Sequence, residues 1–476
     1  MSKLDKVLSF LQFYNISGDY FVYSEDNKVD DIVSLLELNN KYDISLLKNK
    51  SFSSIDGIID KIELGHNNIS LFLQHISYKE INMLKDSYSF ELIYCDLTNY
   101  DDMLQQYEVW CDLRKLTNFL CIKVNVYNEV KFLIYDNTEL EVSVIFPVYN
   151  ISQYLEQCFE NFISFEHDFI ELLAVNDGST DDSLSILEDI SAKDKRVKIL
   201  NKSNGGCASA RMYGLHNAKG KYVAFVDPDD FVEPDFLLKL HMNAVFSQCQ
   251  VIQCGFKKYY METNEYHDVA DSHALSRYYT PYKSYLEPIY ELYRINDVAI
   301  WRRLYKRDFL LNNKIEFPTP IKRFDDLPFF FEVFSRCVSF VAIPDKLYNY
   351  RLNRPGQDVA INDERLFVHF EIFEYLDKFY SERTGEDQHV LKNLLISRLN
   401  SHLWSLSLLD EEFYDNYILK MIKDFNIHVK HFAFSVACIK AHFGGIKKLQ
   451  MLLFIGIYFK NKKMIKKAIK RYKETH

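Results

Sequence analysis

Between residues 142 and 230 the chain repeats one pattern, and that pattern restricts its fold more than anything else in the sequence. An apolar run is followed by a polar turn and then by a stretch with apolar residues at three- and four-residue spacing. The runs fall at 142–148, 170–175, 197–200 and 222–226, with helical stretches at 154–163, after 180, and from 206 to 218. The first, second and fourth runs show little alternation, as strands of a parallel sheet do when both faces are covered. Strands joined by helices in this order form right-handed crossover units. The expectation is an open α/β sheet with its ligand crevice at the carboxyl ends of the strands.

Three polar turns occupy those ends: Asp177-Gly-Ser, Asn204-Gly-Gly and Asp227-Pro-Asp-Asp. Gly178, Gly205 and Gly206 allow close backbone approach to a ligand. Asp177 can accept from a base or a ribose, and Arg211 offers a planar fork to a carbonyl or phosphate. Ser179 or Thr180 is expected to cap the following helix, with Asp181 and Asp182 in its first turn. Pro228 cannot donate to a ladder, so the last strand should stop at about Asp227. Extended backbone continuing to Asp229 would place Asp227 and Asp229 on one side. Two hard carboxylates there can hold Mg²⁺ or Mn²⁺ against a diphosphate. A lone Asp-x-Asp is more often a plain acidic turn; its place after three crossover units favours the ligand role.

Four segments together resemble family 2 glycosyltransferases: Ser143-Val-Ile-Phe-Pro-Val-Tyr-Asn150, Val175-Asn-Asp-Gly-Ser-Thr-Asp181, Asn204-Gly-Gly with Ala210-Arg211, and Phe225-Val-Asp-Pro-Asp-Asp-Phe231. Trp301-Arg-Arg-Leu-Tyr-Lys-Arg-Asp-Phe309, Arg323-Phe-Asp-Asp-Leu-Pro-Phe-Phe330 and Leu347-Tyr-Asn-Tyr-Arg351 follow in the family's order, so the resemblance covers about 141–352. It implies an inverting enzyme with the GT-A nucleotide-diphospho-sugar transferase fold, transferring a hexose-type sugar from a UDP-sugar with Mn²⁺ or Mg²⁺. By the same resemblance Asp177 contacts the uracil, and Arg211 serves the same end of the nucleotide. Asp227 and Asp229 are the metal-binding pair, with Asp229 the direct ligand, and Asp230 supports a neighbour or the sugar. Pro147 and Tyr149 line the nucleotide pocket, Gly205 and Gly206 support it, and Asp326 of the Asp325-Asp326 pair is the catalytic base. Alone, that pair would read as helix capping before Pro328 and Phe329.

The sequence departs from the family at Asn176, where Asp is common, at Met212, where Asn is, and at Asp325, where Glu is. It has no Gln-x-x-Arg-Trp sequence and no membrane channel, so a single addition fits better than processive synthesis. The implied acceptor is a glycan or lipid-linked glycan of a surface polymer such as lipopolysaccharide or capsule. A nucleotidyltransferase on a similar sheet and a non-catalytic glycan-binding or scaffold relative are the alternatives.

The flanks say less. Of 476 residues, 48% are hydrophobic and 26% charged, ordinary for a globular chain of two or three domains. A net charge of −10 argues against a general nucleic-acid binder. Nine scattered cysteines, with Cys249 and Cys254 the closest pair, indicate reduced thiols rather than disulfides or zinc, and a cytoplasmic setting. Residues 1–139 are expected to form a small accessory α/β domain, 140–352 the transferase domain, and 353–476 a helical region. The tail couples an apolar run at 449–459 to lysines 460, 462, 463, 466, 467 and 470. It reads either as a peripheral contact with an anionic membrane surface or as a terminal helix packed on its own domain. Donor sugar, linkage and oligomeric state have no sequence signal.

Overall fold

A computed structural model describes residues 19–24, 51–52, 69–74, 90–97, 102–115, 117–126, 129–137, 139–271, 273–279, 289, 291–354, 357, 361–383, 388–428 and 448–474. The chain divides into two compact units, one formed by 1–141 with 241–248, the other by 142–240 with 249–476.

In the first unit, strands β1 (Asp19–Ser24), β2 (Ser51–Phe52), β3 (Ile69–Gln74), β4 (Phe90–Asp96), β5 (Thr117–Val126) and β6 (Glu129–Asp136) pair in the order β2-β1-β3-β4-β5-β6. All pairs are parallel except the β5–β6 hairpin. Apolar spacing in the sequence predicts strands at 20–23, 69–73 and 90–94, which are present, and helices at 30–38 and 54–64, which lie outside the described residues. Helix α1 (Met103–Arg114) buries Trp110, which stacks on Tyr107 at 5.6 Å. Tyr107 Oη hydrogen-bonds His241 Nδ1 at 2.7 Å, and Tyr135 donates to the Val245 carbonyl at 2.9 Å. Those bonds show why a segment from the middle of the chain belongs to this core.

The second unit is built on a nine-stranded sheet among the described residues. It opens with β7 (Val142–Val148), α2 (Ser152–Ile163), β8 (Ile170–Asn176), α3 (Ser183–Lys193), β9 (Val197–Asn201), α4 (Cys207–Asn217) and β10 (Tyr222–Phe225). The four strands are parallel in the order β9-β8-β7-β10. Every residue of β7, β8 and β10 is buried, which is why their sequences do not alternate. Because β8 lies on one side of β7 and β10 on the other, the carboxyl ends of β7 and β10 form a topological switch point. Gly220 lets α4 return to the sheet: a Cβ there would lie 2.5 Å from the Ser143 backbone nitrogen.

The rest of the sheet is mixed. It comprises β11 (Phe231–Val232), then, after helix α5 (Phe236–Ser247), β12 (Val251–Tyr260), β13 (Glu265–Asp268), β14 (Arg303–Lys306) and β15 (Phe340–Leu352). Strand β14 pairs antiparallel with both β10 and β12, and β12 runs parallel to the long β15. Helix α6 (Asp326–Phe334) precedes β15 and buries Phe329, Phe330, Phe331 and Phe334.

Two local expectations change. Strand β10 ends at Phe225 rather than near Asp227, because Asp227 turns the chain, its carbonyl accepting from Asp230 N at 3.0 Å. Pro228 sits at the second position of that turn, where its fixed φ is favourable. Helix α3 starts at Ser183, not at Asp181: Asp182 is at the cap, and Asp181 accepts from Ser183 N at 3.0 Å and from Ser152 N at 3.1 Å. Ser179 instead accepts from Asn150 N at 3.2 Å.

Helices α7 (Val368–Arg383), α8 (Gln388–Leu408), α9 (Glu411–His428), α10 (Lys448–Tyr458) and α11 (Lys462–Lys473) follow. They share a core in which α8 and α9 supply Leu399, Leu403, Tyr417 and Met421, and α10 and α11 supply Leu453, Ile457, Ile465 and Ile469. The apolar run of the tail is therefore spent on internal packing, with Gly456 admitting the close approach of Ile465. Lys463, Lys467 and Lys470 face solvent. Among the described residues no helix is long and apolar enough to cross a membrane, and Cys249 and Cys254 are both buried.

Candidate active site

The acidic turn after β10 is held from beneath by β15. Tyr348 Oη accepts from Asp227 N at 3.3 Å and donates to Asp230 at 2.8 Å. Asp230 also accepts from Arg351 N at 2.8 Å, and Arg351 Nε donates to the Asp229 carbonyl at 2.5 Å. Asp230 is almost fully buried and absent from the cavity wall, and its bonds anchor the turn. Asp227 and Asp229 do line the cavity. Burial and the charge of Asp227 push the Asp229 carboxyl up, against the pull of Arg354, with which it forms an ion pair.

Among the described residues no three His, Cys, Asp or Glu side chains form a metal cage. Asp227 and Asp229 nonetheless suit Mg²⁺ or Mn²⁺, ions bound through one or two carboxylates with substrate phosphate and water. A cation between them would also relieve the repulsion that raises Asp229.

Arg211, from α4, joins the two sides of the site. Its Nη2 donates to Asp227 at 2.6 Å, and its Nη1 to Asp325 at 2.9 Å and Asp326 at 2.7 Å. This buried guanidinium is engaged by three carboxylates and ties the turn at Asp227 to the Asp325-Asp326 pair. Asp325 makes no side-chain cap bond to α6; its carboxylate belongs to the Arg211 cluster. Burial, helped by Asp325 and Asp227, pushes the Asp326 carboxyl up to about 7 against the downward pull of Arg211. Phe324, just before the pair, has a left-handed backbone (φ 55°), which a bulky residue adopts only when its surroundings impose it. Here the surroundings are aromatic: Phe324 stacks on His369 of α7 at 5.0 Å and meets Trp404 of α8 edge-on at 5.6 Å.

Asp177 is 2% exposed at the end of β8. It accepts from Gly205 N at 2.9 Å and Gly206 N at 2.7 Å, and pairs with Lys202. Its carboxylate thus shapes the Asn204-Gly-Gly turn, where Gly206 has φ 87°. Asn176 donates to Asn201 at 2.9 Å, a bond that a carboxylate could not donate, which gives that departure a local reason. Met212 accepts from Phe317 N through its sulfur at 3.2 Å.

Pro147, Tyr149, Asp177, Gly205, Gly206, Arg211, Asp227, Asp229, Asp325 and Asp326 line one cavity of about 820 Å³. Sequence reasoning missed Trp301, Lys322, Tyr350 and Arg354, which share that wall. The Trp301-Arg-Arg and Tyr-Asn-Tyr-Arg segments held the signal: Trp301 stacks on Tyr348 at 4.2 Å and Tyr350 at 5.4 Å.

This geometry has known counterparts. Residues 143–311 match the family model of glycosyl transferase family 2. The chain is 30% identical over 213 residues to the uncharacterized glycosyltransferase EpsJ of Bacillus subtilis (strain 168), covering 44% of this chain and 61% of EpsJ. It is 28% identical over 257 residues to the uncharacterized glycosyltransferase YibD of Escherichia coli (strain K12), covering 52% of this chain and 74% of YibD. The chain thus spans less than two thirds of EpsJ. Among solved structures, S. aureus TarS 1–349 in complex with UDP aligns with a TM-score of 0.52 at 19% identity, over 71% of this chain and 92% of that one. The UDP-GlcNAc complex of the same protein aligns with a TM-score of 0.51 at 20% identity, over 71% and 93%. At that identity the likeness is one of fold, and the fold is GT-A. The family match, the relatives and the placement of these acidic turns agree: residues 143–311 form a domain that matches glycosyl transferase family 2.

Proposed function

We propose that the chain transfers one sugar from a UDP-sugar to a hydroxyl of a glycan acceptor, with inversion and with a divalent cation. The observation that carries this reading is the Arg211 clamp, which sets the donor-side Asp227 and the acceptor-side Asp326 on opposite arms of one guanidinium. Complexes of TarS with UDP and UDP-GlcNAc support the donor class.

In this reading Asp326 takes the proton of the acceptor hydroxyl as that oxygen attacks the anomeric carbon. The bond from that carbon to the diphosphate breaks, and its electron pair leaves with UDP. A positioned carboxylate base contributes on the order of 10²–10⁴-fold. A cation held by Asp227 and Asp229 would offset the charge growing on the leaving diphosphate. Arg211 keeps Asp326 oriented and holds its carboxyl from rising further. The acceptor class, a surface glycan, is carried over from the family. Exposed Lys463, Lys467 and Lys470 support peripheral contact with an anionic, cytoplasmic membrane face.

UDP titrations with and without Mn²⁺, and UDP release from a set of UDP-sugars, test the assignment in the wild type and two variants. Asp326→Asn should keep UDP affinity while transfer falls by about 10²-fold or more. Asp229→Ala should lose the Mn²⁺-dependent part of UDP binding. UDP binding without release by the wild type would make the chain a non-catalytic relative; Mn²⁺-dependent binding that survives in Asp229→Ala would remove the metal assignment.

A further inference from the structure

A second cavity, of about 890 Å³, adjoins the first. Trp301, Phe324, Asp326 and Tyr350 line both, so Asp326 stands in the wall between them. The outer side of this cavity comes from α8, where residues 393, 396, 397, 400, 401 and 404 line it. Their three- and four-residue spacing places them on one helical face, while Leu399 and Leu406 of the same helix sit in the core.

The lining has a definite chemistry. Nine aromatic side chains contribute, among them Trp301, Tyr293, Phe330 and Trp404, facing hydroxyls and amides such as Ser397, Ser401 and Asn296. Its charged residues are Lys258, Asp297 and the base itself. Burial holds His369 down at about 4, so it adds no positive charge near neutral pH. A single lysine, with Asp297 in the same wall, offers a phosphate-bearing acceptor no cluster of cations. A lipid chain would press hydrocarbon on the Ser397 and Ser401 hydroxyls, at a cost. Aromatic faces combined with neutral donors and acceptors suit a ring that is apolar on its faces and hydroxylated at its edge.

We propose that this cavity is the acceptor subsite, that helix α8 reads the acceptor, and that the acceptor's terminal unit is an uncharged pyranose. The inference rests on the transferase reading above and adds to it the acceptor's chemical class and the element that recognises it.

Saturation-transfer NMR on the full chain, with UDP and Mn²⁺ present, tests it. The probes are the methyl pyranosides of glucose, galactose, mannose, N-acetylglucosamine and rhamnose, with glycerol 3-phosphate as the anionic comparison. At least one pyranoside should bind the wild type and lose about tenfold or more in affinity in Ser401→Trp, which fills the cavity, and in Trp404→Ala. UDP affinity should stay within about twofold in both variants, and Ser401→Trp provides the reading if Trp404→Ala does not fold. Binding of glycerol 3-phosphate alone, no pyranoside binding, or pyranoside binding that Ser401→Trp leaves unchanged would each overturn the proposal. Failure of the wild type to bind UDP at all would instead defeat the transferase reading, so the two failures are distinguishable.

Discussion

Near neutral pH Asp326 is poised between its protonation states, since burial and two neighbouring carboxylates push it up to about 7 despite Arg211. The proposed base must be ionised to act, so kcat/KM for transfer should climb through about pH 7 instead of levelling off just above the ordinary carboxylate range. Stability should move the other way. Between about pH 4 and pH 7 the folded chain keeps a proton that the unfolded chain has released, so stability falls as pH rises. Below that window both states hold the proton. Asp326→Asn cannot ionise, and its thermal midpoint should drop less between pH 4 and pH 8 than that of the wild type. Equal drops in the two proteins would show that Asp326 titrates normally. The role of Arg211 was half legible: Ala210-Arg211 marked it as part of the site, but its carboxylate partners come from two distant segments, Asp227 and the Asp325-Asp326 pair, which only the fold brings together.

At the scale of elements, the parallel half of the sheet follows directly from apolar runs without alternation, and its turns from glycine and aspartate. Strand β14 was not legible, because four residues within a basic segment, Arg303–Lys306, carry no apolar period. They become a strand by pairing with β10 on one side and β12 on the other. The end of β10 was misplaced by two residues because the Asp227–Asp230 bond closes a turn that competes with extension. Tight return of α4 to the sheet depends on Gly220. Gly220→Ala should destabilise the chain by about 1–3 kcal/mol, because the added methyl meets the backbone of β7 and cannot rotate away. Urea unfolding measures this; an unchanged midpoint would mean that the β7 edge yields at no cost.

Across the whole molecule, the tail packs as a terminal helix on its own domain, one of its two sequence readings, and its exposed lysines allow the other to be tested. Its apolar face packs against α8 and α9 and its lysines face water, so a deletion would test folding rather than membrane contact. Charge reversal at Lys463, Lys467 and Lys470 leaves the packed face alone. Lys462 and Lys466, which lie within 4 Å of Asp415, are best left in place. With about 1 kcal/mol expected per basic residue, the triple Glu variant should lose sedimentation with anionic liposomes while wild type retains it. Equal sedimentation would remove the membrane role. The aromatic bracket at Phe324 bears on modularity. The helices that would select the acceptor also hold Phe324, two residues before the proposed base Asp326. Acceptor preference and turnover are then inherited together, and a graft of the C-terminal helices from a relative would import a new tempo along with a new taste.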